Sequence, residues 1–274
     1  MSAEPRMTAR QRMVRIYDRT MTGRHQKRYY EDSGFYNFGY WDPPTDSPRQ
    51  ACETLVDRLA EKIPDSAARI LDVACGLGAS TKRLATRFAP GIITAINVSE
   101  AQLAQARLRA PGSTFLFMDA TALQFPDATF DAVICVEAAF HFDTRDAFLR
   151  EALRVLKPGG WLVLSDILLR RFIGPLAEPF QFPRANFVKD IAGYRKRLQE
   201  TGFTAVEVRD ATDICLGGFR RNLANWPAAE RRRGRVSLRS SIPQSMICRF
   251  IARYFGMTCK AYLLAFARKP AAAT

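Results

Sequence analysis

The 274-residue sequence predicts an α/β fold in which a mostly parallel sheet carries helices on both faces. Short apolar runs alternate with segments of helical periodicity from residue 68 onward. Each pair of segments has the length of a βα unit, which joins parallel strands through a helix. An apolar content of 47% is enough for a sizeable core, and no internal repeat or low-complexity tract interrupts the pattern.

The first predicted elements are a helix in "DSPRQACETLVDRLAEKI" and a strand in "ARILDVA". Ser47 can cap that helix, and Pro48 occupies its first position. The strand is apolar on both faces, as in a buried parallel sheet, and it runs directly into "CGLGAS". Because glycine lets a backbone pass close to a ligand, Gly76 and Gly78 predict a binding turn there, although a plain tight turn is the alternative.

The remaining elements follow in order along the chain. Strands are predicted in "GIITAIN", "STFLFMD", "TFDAVICVEA" and "GGWLVLSDI", with helices near 79–89, from Ser99 and near 144–156. After Leu168 the regular alternation of strands and helices ends. A Pro- and Phe-rich insertion follows, then a helix that ends at Gly202 and the strand "TAVEVRDAT". A basic, helical stretch over 212–256 precedes the last strand, "TCKAYLLAFARKP".

The net charge of +14 comes mainly from arginines near the two ends of the chain. No zinc-finger spacing or aromatic RNA-binding motif accompanies them, so we expect a solvated basic face and no nucleic-acid partner, while attraction to anionic acceptors or acidic surfaces stays open. No apolar run approaches a membrane span, and the N-terminus lacks a signal sequence. Six cysteines without a C-x-x-C pair predict reduced thiols, no metal site and a cytoplasmic protein.

The residues around the glycine turn narrow the choice of ligand. Thr81 stands where a dinucleotide fingerprint needs its third glycine, and Lys82 lacks the frame of a phosphate-binding loop. Asn97 ends the second strand, where a side chain can bind ribose hydroxyls. The Ser99-x-x-Gln102 pattern predicts a capped helix, from which Gln102 could also reach the ribose. After the third strand, Met118 could pack on an adenine and Asp119 could accept from its amine, unless Asp119 only orders its loop.

Together these stretches resemble the class I S-adenosylmethionine-dependent methyltransferases over about residues 28–267. "LDVACGLG", "FMDATALQFPDATFDAVICVEAAFHF" and "LREALRVLKPGGWLVLSDI" carry the resemblance. "YNFGYWD" and "INVSEAQL" are similar to the branch with sterol and tocopherol C-methyltransferases, cyclopropane fatty acid synthases and antibiotic-pathway sugar O-methyltransferases. The resemblance implies S-adenosylmethionine as cofactor and a Rossmann-like, seven-stranded sheet whose last strand is antiparallel. The predicted cofactor-binding residues are Tyr40, Trp41, Asp72, Gly76, Gly78, Asn97, Gln102, Met118, Asp119, Ala120 and Glu137.

Methyl transfer to a hydroxyl requires removal of its proton, and His141 and Asp166 are the predicted catalytic residues. Both follow or end strands at the edge of the sheet where ligands bind. The imidazole would act as the base, and the carboxylate would orient it or accept a second proton. In the sugar O-methyltransferases that the chain resembles, a histidine and an aspartate at matching positions are the proposed bases. The alternative for His141 is that it forms only a wall of the pocket. For Glu137, binding of the acceptor and a purely structural role both stay open.

We therefore divide the chain into a lid segment, a cofactor-binding core, a cap insertion with its helix, and C-terminal strands that carry an acceptor-binding insertion. The respective ranges are 1–45, 46–168, 169–200 and 201–274, with the insertion at about 212–256. Phe172, Phe180, Phe182 and Phe187 favour a hydrophobic small-molecule acceptor. We predict O-methylation of a natural product. C-methylation of an electron-rich ring or alkene, N-methylation, nucleic-acid methylation and a non-methylating cyclase remain alternatives, and self-association stays open.

Overall fold

The computed structural model describes residues 8–45, 47–170 and 183–271. The strands are β1 Ile70–Val73, β2 Ile93–Asn97, β3 Thr114–Phe117, β4 Phe130–Val136, β5 Leu156–Leu169, β6 Thr204–Asp210 and β7 Cys259–Arg268. The helices are α1 Ala9–Met21, α2 Arg24–Tyr29, α3 Pro48–Ala60, α4 Ala79–Leu84, α5 Glu100–Arg109, α6 Arg145–Val155, α7 Ile191–Thr201, α8 Gly218–Arg232 and α9 Leu238–Thr258.

The strands form a seven-stranded sheet in the order β3-β2-β1-β4-β5-β7-β6. Strands β1 to β5 are parallel, and β7 runs antiparallel to both β5 and β6. This confirms the predicted Rossmann-like, mostly parallel sheet with an antiparallel last strand. Successive strands are added outward from β1 to β3 on one side and from β4 onward on the other, so the strand order switches between β1 and β4. In open α/β sheets, ligands bind beside the carboxyl ends of the strands at such a switch point.

The helix caps agree with the sequence patterns that predicted them. Ser47 accepts from the Gln50 N–H at 3.2 Å, and Pro48 occupies the first turn of α3. Ser99 likewise accepts from the Gln102 N–H at 3.2 Å at the start of α5. The first helix after the glycine turn is shorter than expected, because α4 ends at Leu84 and a turn follows.

The described elements after Leu168 agree with the predicted ones: α7 ends before Gly202, and β6 and β7 occupy the predicted strands. The basic stretch over 212–256 forms a π-helical turn followed by α8 and α9. Part of the predicted insertion, including Phe172, Phe180 and Phe182, lies outside the described residues. Phe187 is described and is partly exposed.

Apolar side chains cover both faces of the sheet, as its continuous apolar strands require. On one face the core includes Leu55 of α3, Ile134 of β4 and Phe219 of α8. On the other face it includes Phe148 of α6 and Tyr194 of α7. The six cysteines are all free and buried. No helix in the described ranges is long and apolar enough to cross a membrane.

Candidate functional site

A cavity of about 2180 Å³ opens at the carboxyl ends of the central strands. Gly76 lies on its wall after β1, Asn97 at the end of β2, Asp119 after β3, and Glu137 and His141 after β4. The parallel strands bring these side chains together because all of their carboxyl ends meet at one edge of the sheet. The site expected from the sequence is therefore assembled at the switch point.

The turn after β1 brings bare backbone to the cavity at Gly76. Its φ of +54° lies in the left-handed region, which favours glycine. A Cβ built there would lie 3.1 Å from the Met21 Cε and 3.9 Å from the Gln102 Oε1, two side chains that also line the cavity. Any side chain at Gly76 would consequently take up ligand space.

Gly78 and Asp72, both predicted to bind the cofactor, are not among the described residues that line the cavity. A Cβ on Gly78 would lie 2.8 Å from both the Cα and Cβ of Ala106, so this glycine lets α5 pack against the turn. The Asp72 Oδ2 accepts hydrogen bonds from the hydroxyls of Ser80 at 2.8 Å and Thr81 at 2.7 Å. Burial raises the pKa of Asp72 to about 6. In the structure these two residues hold the turn against its helices, and their predicted contact with the cofactor stays a prediction.

A polar network covers the end of β2, where Asn97 and Gln102, both predicted to bind the cofactor, line the cavity. The Asn97 Nδ2 donates to the Gln102 Oε1 at 2.8 Å. The Gln102 Nε2 and the Ser99 Oγ each donate to the Asp18 Oδ1 at 2.7 Å. Amide and hydroxyl groups in this arrangement can both donate to and accept from a diol. Asp18 comes from α1 and was not expected at the site.

Asp119 faces the cavity while it also orders its own loop, so the two interpretations of this residue are compatible. Its Oδ1 accepts from the Thr121 N–H at 2.9 Å and from the Thr121 hydroxyl at 2.8 Å. Its Oδ2 lies 2.5 Å from the Arg10 Nη1. Met118 and Ala120, also predicted to bind the cofactor, line the cavity beside it.

Helix α1, in the segment predicted as a lid, forms the wall opposite the strand ends, although none of its individual residues was predicted to line the site. The side chains that it contributes to the cavity are those of Arg10, Met13, Val14, Tyr17 and Met21. Their spacing of three, four and seven residues places them on one helical face. That periodicity is visible in "ARQRMVRIYDRTM" and could have identified the face, although it could not have identified the cavity.

The aromatic N-terminal segment reaches the cavity through residues other than the predicted Tyr40 and Trp41. The Trp41 Nε1 donates to the Phe38 carbonyl at 2.7 Å, and its ring lies against Gly218 of α8. The Tyr40 N–H donates to a carbonyl of α3 at 2.8 Å. Among residues 36–42, the aromatic side chains that line the cavity are those of Tyr36 and Phe38. The Arg58 guanidinium of α3 lies 5.4 Å from the Tyr40 ring centroid, and neither Tyr40 nor Trp41 is among the described residues that line the cavity.

His141 lies on the cavity wall beside the tyrosine of α1. The Tyr17 hydroxyl is 2.5 Å from the His141 Nε2, and the two rings meet edge to face. Burial lowers the pKa of His141 to about 3, and the positive charge of Arg145 acts in the same direction. The imidazole is therefore neutral near pH 7. Burial also raises the pKa of the Tyr17 phenol, which keeps that hydroxyl protonated.

Asp166, the second predicted catalytic residue, is buried away from the cavity. Its Oδ2 accepts from the Arg145 Nε at 2.7 Å and from the Tyr194 hydroxyl at 2.8 Å. Arg145 and Asp166 are 1% and 0% exposed, so this is a fully desolvated ion pair. Since Asp166 is not among the described lining residues, the structure corrects the prediction that it faces an acceptor. The Asp166 carboxylate is paired with Arg145 of α6, as a buried charge requires.

Glu137 lines the cavity at the end of β4, where its φ of +53° is unusual for a residue with a side chain. Its Oε2 accepts from the Phe38 N–H at 2.8 Å. Desolvation, together with the nearby charge of Asp166, raises the pKa of Glu137 to about 8. The carboxyl group is therefore largely protonated at neutral pH when no cation is nearby.

Glu137→Gln is expected to change how stability depends on pH in the cofactor-free chain. Between the ordinary pKa of 4.5 and the folded value of about 8, the folded state holds a proton that the unfolded state releases. Wild-type stability from this group should therefore fall by about 1.4 kcal/mol per pH unit as the pH rises through that window. Glutamine mimics the protonated acid and does not titrate. The stability of the mutant relative to the wild type should therefore increase as the pH rises toward 8. Denaturant unfolding at several pH values measures this, and parallel profiles would contradict it.

The groups on the cavity wall suit S-adenosylmethionine, the cofactor expected from the sequence. The glycine turn leaves space at Gly76, into which a Cβ would project. Asn97 and Gln102 present amides for a ribose, and Asp119 presents a carboxylate beside the apolar Met118 for an adenine. Carboxylates and amides pair with amines and hydroxyls of such a ligand. The donor set therefore fits the cofactor.

Comparisons with known proteins agree with this chemistry. Residues 71–164 match the family model described as a methyltransferase domain. The O-methyltransferase rstn1 of Aspergillus nomiae is 34% identical over 196 residues, which are 66% of this chain and 85% of that protein. The 27-O-demethylrifamycin SV methyltransferase of Amycolatopsis mediterranei is 40% identical over 138 residues, 48% of this chain and 50% of that protein. The crystal structure of the [4+2]-cyclase SpnF aligns with a TM-score of 0.69 and 26% identity, over 96% of this chain and 97% of that one.

Proposed function

The chain belongs to the family of S-adenosylmethionine-dependent methyltransferases, and from this premise we propose that it methylates a hydroxyl group of a hydrophobic, natural-product-like acceptor. Its cofactor is S-adenosylmethionine, which supplies a methyl group on a positively charged sulfur. The relatives named above are an O-methyltransferase and a demethylrifamycin methyltransferase, which supports an oxygen acceptor in a small molecule.

The observation that carries the proposal is the position of the Tyr17 hydroxyl. It lies inside the cavity, 2.5 Å from the Nε2 of a neutral His141. A hydroxyl of an acceptor that replaced it would be within the hydrogen-bond reach that a general base needs. His141 would accept the hydroxyl proton at Nε2, while the cofactor, when bound, would supply the methyl group to the oxygen and leave as S-adenosylhomocysteine through cleavage of its carbon–sulfur bond. In this proposal the Tyr17 hydroxyl occupies the position that the acceptor hydroxyl takes when it binds.

The size and lining of the cavity support a hydrophobic acceptor. Its volume of about 2180 Å³ exceeds the roughly 300–1,000 Å³ typical of a site for one small ligand. Beyond His141, apolar side chains of α8 and α9 form the wall together with Phe187. Those of α8 and α9 include Phe219, Leu223, Trp226, Ile251 and Phe255. We assign this end, within the predicted helical insertion, to the acceptor.

The test is incubation of the purified chain with S-adenosylmethionine and a panel of hydrophobic alcohols and phenols, followed by mass spectrometry. We expect a product heavier by one CH₂ group whose fragments place the methyl on oxygen, together with S-adenosylhomocysteine. A methyl on carbon or nitrogen would refute the hydroxyl acceptor. A rearranged product of unchanged mass would indicate a cyclase, the activity named for the similar SpnF structure. Boiled enzyme and cofactor-free reactions are the controls.

A further inference from the structure

Helix α9 carries a stripe of apolar side chains on its outer surface. Each member is between 54% and 70% exposed. The stripe consists of Leu238, Ile242, Met246, Phe250 and Met257. Steps of four and seven residues keep these side chains on one helical face. Soluble proteins rarely expose a contiguous apolar patch of this kind without a binding partner.

The opposite side of α9 is already used by the fold. Cys248, Ile251 and Phe255 point inward and line the cavity. They belong to, or pack against, the core on that face of the sheet. The outer stripe is therefore not needed to attach α9 to the protein. A single helix thickness separates it from the part of the cavity assigned to the acceptor.

Positive charge surrounds the stripe. Nine arginines and only two acidic residues, Asp213 and Glu230, lie between positions 212 and 258. Glu230 is buried and pairs with Arg28 at 2.8 Å, and Asp213 pairs with Arg221 at 2.9 Å. The sequence of α9 itself contains no acidic residue.

Three of these arginines stand on the exposed surface of α9 next to the stripe. They are Arg239, Arg249 and Arg253. Within the described part of the chain, none of them forms an ion pair with an acidic side chain. Unpaired guanidinium groups between exposed apolar side chains match a partner that offers phosphate groups above a hydrocarbon layer.

We propose that the outer face of α9 docks on the surface of an anionic lipid bilayer. The apolar stripe enters the boundary between headgroups and acyl chains, and the three arginines contact lipid phosphates. Helices that combine an apolar stripe with arginines lie in this way along a bilayer without crossing it. If the proposed function holds, a hydrophobic acceptor dissolved in the bilayer would enter the cavity from this side.

A second copy of the chain fits this surface less well. In a two-fold contact through α9, the same patch of each copy faces itself. Arg239, Arg249 and Arg253 of one copy would then face those of the other, with no acidic residue of α9 between them. Such a contact would desolvate like charges, whereas an anionic bilayer neutralises them.

The experiment is co-sedimentation of the full chain, without cofactor or acceptor, with two kinds of vesicle. One contains phosphatidylcholine alone, and the other contains phosphatidylcholine with phosphatidylglycerol. We expect binding to the anionic vesicles that weakens steeply with salt, and little binding to the neutral ones. Because no methyl transfer is measured, failure of this test is distinct from failure of the proposed function.

Two sets of substitutions separate charge from apolar contact. Arg239→Gln, Arg249→Gln and Arg253→Gln together should weaken binding by about a hundredfold. Met246→Ser with Phe250→Ser should weaken it by about tenfold or more. The control is Leu108→Ser on α5, which removes an even more exposed apolar side chain elsewhere and should leave binding unchanged. All replaced side chains are exposed, so unfolding temperatures should stay close to that of the wild type.

Absence of binding to anionic vesicles by the wild type would overturn the proposal. Binding that the stripe and arginine variants retain would also overturn it, since the contact would then lie elsewhere. Sedimentation velocity provides the third readout: a wild-type dimer that the Met246→Ser, Phe250→Ser variant dissociates would assign the stripe to self-association instead.

Discussion

Replacing His141 with alanine is expected to lower the turnover number by about two to four orders of magnitude, the usual contribution of a positioned general base. The affinity for S-adenosylmethionine should change little. This follows from the position of Nε2, which faces the Tyr17 hydroxyl inside the cavity and not the polar network at Asn97 and Gln102. Turnover measured at saturating cofactor, with calorimetric cofactor binding in parallel, gives both quantities.

His141→Gln is the matched variant, because glutamine retains hydrogen-bonding groups and lacks a basic nitrogen. It should be nearly as slow as His141→Ala. Recovery of turnover in the glutamine variant would show that the side chain only positions the acceptor. Loss of cofactor affinity in step with turnover would make His141 a pocket wall.

The structure also changes the pH profile expected for this base. A histidine of ordinary pKa would produce a rising rate between about pH 6 and 7. Because burial lowers the pKa of His141 to about 3, the imidazole remains neutral over that interval. The fall in rate toward acid pH should therefore begin only below about pH 5. At that pH, fewer than one in ten histidines of ordinary pKa would be neutral. A limb retained near pH 6 to 7 and absent from His141→Gln would mean that ligand binding restores the ordinary pKa.

Asp166→Ala is expected to lower the free energy of unfolding by about 3 to 5 kcal/mol, because it leaves the buried Arg145 guanidinium without a counter-charge. The pair is nearly inaccessible to solvent, and Tyr194 also donates to the same carboxylate oxygen. Denaturant unfolding at neutral pH measures the loss. Turnover measured well below the unfolding midpoint should be affected far less than in His141→Ala.

An exposed ion pair provides the control for Asp166. Lys196 and Glu200 lie one helical turn apart on α7 at 3.5 Å, with both side chains more than half exposed. Glu200→Ala should cost less than about 1 kcal/mol. An Asp166→Ala variant with wild-type stability and greatly reduced turnover would contradict this prediction and would indicate that the carboxylate takes part in catalysis.

Much of the fold could be predicted because its signals are local. The apolar runs of β1, β2, β4 and β5 need burial on both faces, and the intervening periodic segments supply the helices that cover them. Ser47 and Ser99 capped the helices they were predicted to cap, since a cap depends on a side chain and a backbone N–H only three residues apart. The strand ends then brought Gly76, Asn97 and Glu137 to one cavity.

Other site residues could not be predicted because their side chains depend on distant partners. Tyr40 and Trp41 lie in the segment expected at the cavity, yet the Tyr40 ring lies 5.4 Å from the Arg58 guanidinium of α3 and the Trp41 ring lies against Gly218 of α8. Gly78 satisfies the same conformational requirement as Gly76, but the approach of α5 decides that only Gly76 borders the ligand space. Sequence spacing contains no information on such approaches.

The sequence by itself determined the parallel sheet and the position of the glycine turn, because short-range apolar patterns and backbone requirements specify these features, and its resemblance to the methyltransferases indicated the cofactor. Only the tertiary structure decided which chemistry-bearing groups face the cavity. His141 meets Tyr17, which is 124 positions away in the chain, whereas Asp166 is withdrawn from the cavity by Arg145. The physical reason is that a buried charge must lie where its counter-charge lies, and that place is set by the packing of α6 and α7 against the sheet.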